Sequence, residues 1–178
     1  MSRALLIIDI QNDYFPGGAY PLVEPQAAAE AARHVLDGFR DRGEPIVHLK
    51  HVWDAPDAAF MKPGTEGVEI HSLVAPQGDE QVIEKAEPNG FVGTPLESVL
   101  REKGIDSLVV AGMMSSMCVD ATVRAAVDLG FTATVVHDAC AAPDLEFEGA
   151  AIPGATVHGA FMAALADGYA TMAASRDL

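Results

Sequence analysis

The sequence predicts an α/β protein: a three-layer, Rossmann-like open parallel sheet with helices on both faces, formed by residues 1–178 as a single domain. Apolar runs of four to eight residues alternate with longer segments of helical periodicity, which is typical of strand–helix–strand units. The runs are continuously apolar, as expected for parallel strands covered on both faces. No internal repeat or linker divides the chain, and its length is enough to bury one core.

The first third of the chain predicts two strands and one helix. Residues 4–8 form an apolar run that stops at Asp9. Residues 26–42 are alanine-rich with helical spacing of apolar positions, and Gly43 closes this segment. A second strand follows at 45–49.

The middle of the chain begins with a long segment, residues 53–80, that has no clear period and contains several prolines and glycines. A loop of this length in a compact domain is usually functional or interfacial. A short strand at 81–84 then ends at Lys85, and a helix with Pro95 in its first turn is predicted over 94–103.

The last part of the chain repeats the alternation of strands and helices. Its elements are a strand at 107–111, a helix from Ser115 or Ser116 to Leu129, a strand at 131–136, a helix at 156–165 and a short strand at 169–172.

Composition excludes several classes of function. The chain has 26 acidic and 11 basic residues, so its net charge is −15. Such a charge disfavours binding to nucleic acid or to anionic membranes, and no apolar run is long enough to span a bilayer. Two cysteines form no disulfide framework, and together with the absence of a cleavage-site pattern near the start they predict a cytoplasmic protein.

Three reactive side chains stand at the predicted carboxyl ends of strands. Asp9 follows the first strand, Lys85 ends the third, and Cys118 comes shortly after the fourth. Ligands of open parallel sheets bind at this edge, so we expect the three to converge there. Each also has a structural alternative: Cys118 as a small core residue, Asp9 as an acid that caps a loop, and Lys85 as a surface lysine.

The two cysteines differ in their surroundings. Cys118 falls in the first turn of its predicted helix, where the helix dipole and free N–H groups favour a thiolate. Cys140 lies in an apolar context, and we interpret it as structural.

The histidines offer a weaker metal hypothesis. His48 and His51 are three residues apart, which sends them to opposite faces of a strand, and His71 follows twenty residues later. No spacing completes a tetrahedral ligand set, and no phosphate-binding glycine motif occurs.

Five segments, in this order along the chain, resemble the isochorismatase-like cysteine hydrolase superfamily. They are residues 5–15, 64–71, 82–85, 109–122 and 136–141.

This resemblance implies a catalytic triad of Asp9, Lys85 and Cys118. It also implies a cis peptide bond between Met113 and Met114, and an oxyanion site formed by the N–H groups of Met114 and Cys118. The mechanism implied is acyl transfer, in which Asp9 takes the thiol proton and the thiolate attacks an amide carbonyl.

Two departures narrow the expected activity. Isochorismatases that cleave a vinyl ether lack the cysteine, whereas Cys118 is present here. Nicotinamidases carry a histidine-containing metal set after the second strand, and residues 48–54 do not reproduce it. The resemblance therefore implies a metal-free, cofactor-free branch acting on amides, carbamoyl groups, ureido acids or lactams, assembled as a homodimer or homotetramer.

The substrate pocket is predicted to have an apolar lining, which favours a neutral, compact amide or lactam over a di-acid. The candidate lining residues are Phe15, Trp53, Phe60, Phe91, Met113, Met114 and Met117. Three alternatives stay open: a metal-assisted nicotinamidase-like hydrolase, a redox protein that uses Cys118 without hydrolysis, and a catalytically silent binding domain.

Overall fold

A parallel sheet forms the centre of the structure, a computed structural model that describes residues 2–178. Within these residues the eight strands are β1 (Ser2–Ile8), β2 (Ile46–His51), β3 (Gln81–Lys85), β4 (Ile105–Met113), β5 (Thr132–Ala141), β6 (Leu145–Phe147), β7 (Ala150–Ile152) and β8 (Thr171–Ala173). Six of them form the sheet in the order β3-β2-β1-β4-β5-β8, with every pair parallel. β6 and β7 form a separate antiparallel hairpin.

Helices cover both faces of the sheet, which confirms the predicted three-layer architecture. Helix α1 (Pro25–Arg42) packs on one face. Helices α2 (Leu96–Glu102), α3 (Asp120–Asp128) and α4 (Gly154–Gly168) contribute buried residues to the other face. Most predicted elements lie within about three residues of the observed ones.

The central strand β1 shows why the apolar runs are continuous. Leu5 and Ile7 are buried in the cluster that includes α1, whereas Leu6 and Ile8 are buried in the cluster on the opposite face. Because successive side chains of a strand point to opposite faces, a strand covered on both sides is apolar at every position.

The predicted helix from Ser115 or Ser116 does not begin as expected. Ser115–Val119 forms a single π-helical turn, and the α-helix starts only at Asp120. No serine side chain caps this turn, since Ser115 Oγ is instead hydrogen-bonded to His158 Nδ1 on α4 at 2.8 Å. π-helical turns are rare and occur frequently at functional sites.

Two further features of the chain after β4 were not predicted. Strand β5 continues past the predicted end at residue 136 to Ala141, because its pairing with β4 shifts register and then resumes. The β6–β7 hairpin turns at Glu148 and Gly149, which both have positive φ, of 51° and 78°. Its Phe147 side chain is 67% exposed.

The long segment 53–80 folds against the strand ends of the sheet. The His71 N–H donates to the Ile10 carbonyl at 2.9 Å, and the Asp13 N–H donates to the Gly67 carbonyl at 2.9 Å. A short 3-10 turn at Ser72–Val74 is its one helical piece. Within residues 2–178, no helix combines the length and apolarity needed to cross a bilayer.

Candidate active site

Asp9 is the first residue after β1 and is completely buried. Its φ of 50° lies in the left-handed region, which a non-glycine residue adopts only when its surroundings hold it there. The Asp9 N–H donates to the Leu49 carbonyl of β2 at 3.1 Å, so the end of the neighbouring strand fixes this backbone. Gly112 of β4 lies so close to the Ile8 carbonyl that a side chain there would collide with it.

Lys85 ends β3 and reaches across β2 to Asp9. Its Nζ lies 2.7 Å from Asp9 Oδ2, and the side chains of both residues are inaccessible to solvent. The same Nζ donates to His51 Nδ1 at 3.1 Å, to the Glu87 carbonyl at 3.0 Å and to Cys118 Sγ at 3.4 Å. One ammonium group therefore contacts the carboxylate and the thiol together.

Cys118 lies in the π-helical turn after β4 and is buried. The peptide bond between Met113 and Met114 is cis. The N–H groups of Met117 and Val119, on either side of Cys118, both donate to the Met114 carbonyl at 3.1 Å. Within residues 2–178 the Met114 N–H itself donates to no backbone carbonyl, so it is available to a ligand.

The surroundings of Cys118 favour a protonated thiol, whereas the sequence predicted that a helix N-terminus would favour a thiolate. Burial, and then the neighbouring Asp9 carboxylate, raises the pKa of Cys118 well above its ordinary value, although Lys85 acts in the opposite direction. Burial also raises the pKa of Asp9 despite the attraction of Lys85.

A metal hypothesis for this cluster has to account for Lys85. The nearest donor atoms of Asp9, His51 and Cys118 all lie within 4.8 Å of one another, which matches the size of a metal-ligand set. The Lys85 ammonium, however, already contacts all three donors. A second cation beside a buried ammonium is opposed by like-charge repulsion, so these residues do not fit a metal site.

The thiol opens into a cavity of about 190 Å³. Aromatic and other apolar side chains make up most of its wall. The lining residues are Tyr14, His51, Trp53, Phe60, Ala86, Pro88, Met114, Met117 and Cys118. Phe60 packs edge-on against Trp53 with ring centroids 5.5 Å apart, and segment 53–80 thus supplies part of the wall.

Three of the predicted lining residues lie elsewhere. Phe15 stacks on His71, with ring centroids 3.7 Å apart. Phe91 stacks on Phe131 beside the core. Met113 is completely buried in the core because it still belongs to β4, one residue before the turn that reaches the cavity.

Tyr14 was not among the predicted lining residues, and His51 was considered only as part of the weaker metal hypothesis. His48 and His51 do lie apart: buried His48 is hydrogen-bonded to Glu80 at 3.0 Å, whereas His51 faces Lys85. Buried Gln11 binds both backbone polar groups of His51, each at 2.8 Å. The sequence did contain a signal for His51. It ends β2, and β2 lies between the strands that end at Asp9 and Lys85, so its side chain is expected at the same edge of the sheet.

Comparison with known proteins gives concordant matches. The family model of the isochorismatase domain matches residues 3–167. The isochorismatase family protein YddQ of Bacillus subtilis is 51% identical over 172 residues, which cover 97% of this chain and 96% of that protein. A crystal structure of an isochorismatase hydrolase from Oleispira antarctica superposes with a TM-score of 0.95 at 46% identity, covering 99% of this chain and 95% of the other.

A third relative carries a named activity. Streptothricin hydrolase of Streptomyces noursei is 37% identical over 143 residues, which cover 80% of this chain. The matched region is 51% of that protein, so the chain aligns with about half of its length.

Proposed function

The chain belongs to the isochorismatase family of hydrolases, and we propose that it cleaves the C–N bond of a small neutral amide or lactam through a thioester on Cys118. The observation that carries this proposal is the single ammonium group of Lys85, which contacts the Asp9 carboxylate and the Cys118 thiol at the base of one apolar cavity. A nucleophile, a base and a fixed positive charge are the parts that acyl transfer requires. The activity of the streptothricin hydrolase relative supports hydrolysis as the reaction class.

In the first half of the reaction, Asp9 removes the thiol proton of Cys118 and the sulfur attacks the amide carbonyl. The N–H groups of Met114 and Cys118 stabilise the negative charge that develops on the carbonyl oxygen. Asp9 then returns the proton to the leaving nitrogen and the C–N bond breaks. An amine or ammonia departs from a linear amide, whereas a lactam ring opens and its amine stays attached to the acyl group. The acyl group remains on Cys118 as a thioester.

In the second half, water attacks the thioester carbon and gives up its proton to Asp9. The intermediate collapses, the carboxylic acid product leaves, and Cys118 recovers its proton. Throughout both halves Lys85 keeps a positive charge beside the anionic groups of the site, and its four contacts hold it in place.

The apolar wall supports a neutral substrate. In the part of the chain that the structure describes, no Asp, Glu, Lys or Arg lines the cavity, so a substrate carboxylate would be desolvated without a counter-charge. A compact amide or lactam of planar shape matches the aromatic side chains of Trp53 and Phe60.

Mass spectrometry tests this proposal with the two cysteines as a matched pair. The protein is incubated with a panel of neutral amides, lactams and amides bearing a carboxylate, and the carboxylic acid product is measured, which for a lactam is the ring-opened amino acid. We expect turnover of neutral members, with an acyl adduct on Cys118, and Cys140→Ala is expected to behave as the wild type. Turnover that survives Cys118→Ala would refute the mechanism, and a preference for the carboxylate-bearing amides would refute the assignment of a neutral substrate.

Cytoplasmic location and a homodimer or homotetramer belong to the same proposal. Exposed apolar side chains on the β6–β7 hairpin, including Phe147 and Leu145, support association between copies. Light scattering at several protein concentrations measures the assembly state directly.

A further inference from the structure

His51 is a polar group of the cavity wall that the mechanism above does not use. It lies at the end of β2, between the strand ends that carry Asp9 and Lys85. Its backbone is held in both directions by the Gln11 side chain, which is itself completely buried. These bonds fix the backbone of His51, and the contact of its Nδ1 with Lys85 Nζ at 3.1 Å fixes the direction of the imidazole.

The contact with Lys85 determines where the imidazole carries its proton. An ammonium group has donors and no acceptor, so the Lys85 Nζ at 3.1 Å requires His51 Nδ1 to be the acceptor. A neutral ring with an accepting Nδ1 carries its hydrogen on Nε2. Burial, followed by repulsion from Lys85, lowers the pKa of His51 to about 4, so the ring is neutral at physiological pH.

The consequence is one N–H donor of fixed direction in a largely apolar cavity. In residues 2–178, His51 Nε2 has no hydrogen-bond partner. The scissile carbonyl is already matched by the N–H groups of Met114 and Cys118, which follow β4, so a donor at the end of β2 serves a different atom of the substrate. Tyr14 and Trp53 also line the cavity, but neither is tied to the catalytic cluster by a hydrogen bond.

We propose that His51 is a substrate-binding residue whose Nε2–H donates to a second hydrogen-bond acceptor, so that the preferred substrates are compact neutral imides, ureides or other amides with a second carbonyl. This inference rests on the proposed function, since it takes the scissile carbonyl to sit at the Met114 and Cys118 N–H groups. It makes His51 a determinant of specificity: the Lys85 contact fixes the tautomer, and the tautomer selects the substrate.

Two substitutions separate the two nitrogens of the ring. His51→Asn places an amide oxygen at the distance of Nδ1, which keeps an acceptor for Lys85 and removes the donor at Nε2. His51→Gln reaches the distance of Nε2 and keeps a donor to the cavity. His34→Asn, at an exposed position of α1, is the matched control.

Binding is measured in a Cys118→Ala background, so that the outcome does not depend on turnover. The probes are succinimide, with two carbonyls, and 2-pyrrolidinone, a five-membered ring with one. By calorimetry or NMR titration we expect succinimide to bind about tenfold more tightly. His51→Asn is expected to weaken succinimide about tenfold and leave 2-pyrrolidinone unchanged, whereas His51→Gln and His34→Asn keep the preference.

Several outcomes would overturn this inference: equal binding of the two probes before His51 is changed, no binding of either at millimolar concentration, or equal weakening of both by His51→Asn. Failure of the proposed function has a different signature, since it is an absence of amide turnover by the protein with Cys118 intact. Thermal melting of each variant establishes that a lost preference does not come from unfolding.

Discussion

Replacing Lys85 with methionine keeps an unbranched side chain of similar length and removes the charge that faces Asp9. The Asp9 carboxylate would then be buried without a counter-ion, and in the described residues neither of its oxygens accepts a well-aligned hydrogen bond. An isolated buried carboxylate is costly enough that it binds a proton instead. We therefore expect Lys85→Met to destabilise the fold by an amount that depends on pH.

The magnitude follows from the cost of that proton. An aspartate with its ordinary pKa of 3.8 is ionised in the unfolded chain at pH 7, about 3.2 pH units higher. At about 1.4 kcal/mol per unit, folding with the proton bound costs at most about 4 kcal/mol at pH 7 and about 2 kcal/mol at pH 5. Both are upper limits because burial already raises the pKa of Asp9 in the wild type.

The sign of this dependence is fixed by the direction of the shift. A carboxyl group whose folded pKa is raised above its unfolded pKa favours folding at low pH and opposes it as the pH rises. The stability difference between wild type and Lys85→Met should therefore grow from pH 5 to pH 7, which urea unfolding at several pH values measures.

The Asp9→Asn/Lys85→Met double variant provides the control. It removes both charges, so at pH 7 it should be more stable than Lys85→Met alone. A pH-independent loss in Lys85→Met, or a double variant that is as unstable as the single one at pH 7, would refute the reasoning. Either result would mean that packing, and not an unpaired carboxylate, determines the effect.

Three further predictions concern other parts of the molecule. Cys118→Ala should lower amide hydrolysis at least 10³-fold while the thermal midpoint changes by a few degrees, as ammonia release and melting curves report. Glu80 is partly desolvated, yet hydrogen bonds led by that from Arg40 lower its pKa from 4.5 to about 2. The wild type should therefore exceed Glu80→Gln in stability by about 1 kcal/mol near pH 6 and lose this advantage as the pH falls toward 2, in urea titrations. Gly112→Ala should destabilise the fold by at least about 1–3 kcal/mol, since its Cβ would collide with the Ile8 carbonyl, and denaturant unfolding measures the loss.

The layers of the fold were predictable because a strand that is covered on both faces is apolar at successive positions, and this pattern is visible in the sequence. Every residue of β1 from Ala4 to Ile8 is buried, and the end of the apolar run marks where the backbone leaves the sheet. The strand-end rule then placed Asp9 and Lys85 at one edge, and the structure brings them to 2.7 Å.

The features that were not predicted depend on contacts between distant residues. The turn around Cys118 is tied to α4 by the hydrogen bond between Ser115 Oγ and His158 Nδ1, 43 residues later. A π-helical turn cannot be predicted from local residue preferences, because this rare geometry depends on contacts with the surrounding structure. Phe15 and Phe91 do not line the cavity for a similar reason. Each stacks on an aromatic ring that is distant in the sequence, Phe15 on His71 and Phe91 on Phe131.

The charge count of the buried cluster explains why a protonated thiol suits this chemistry. Lys85 supplies one positive charge, and the site is neutral when either Asp9 or Cys118 is an anion but not both. Losing the thiol proton to solvent would bury a second anion, which is why the Asp9 carboxylate contributes to the raised pKa of Cys118. Passing that proton to Asp9 leaves the charge of the cluster unchanged and moves the anion onto sulfur beside the same ammonium. The two groups therefore titrate as a coupled pair, and the proposed first step avoids the desolvation penalty that keeps the resting thiol protonated.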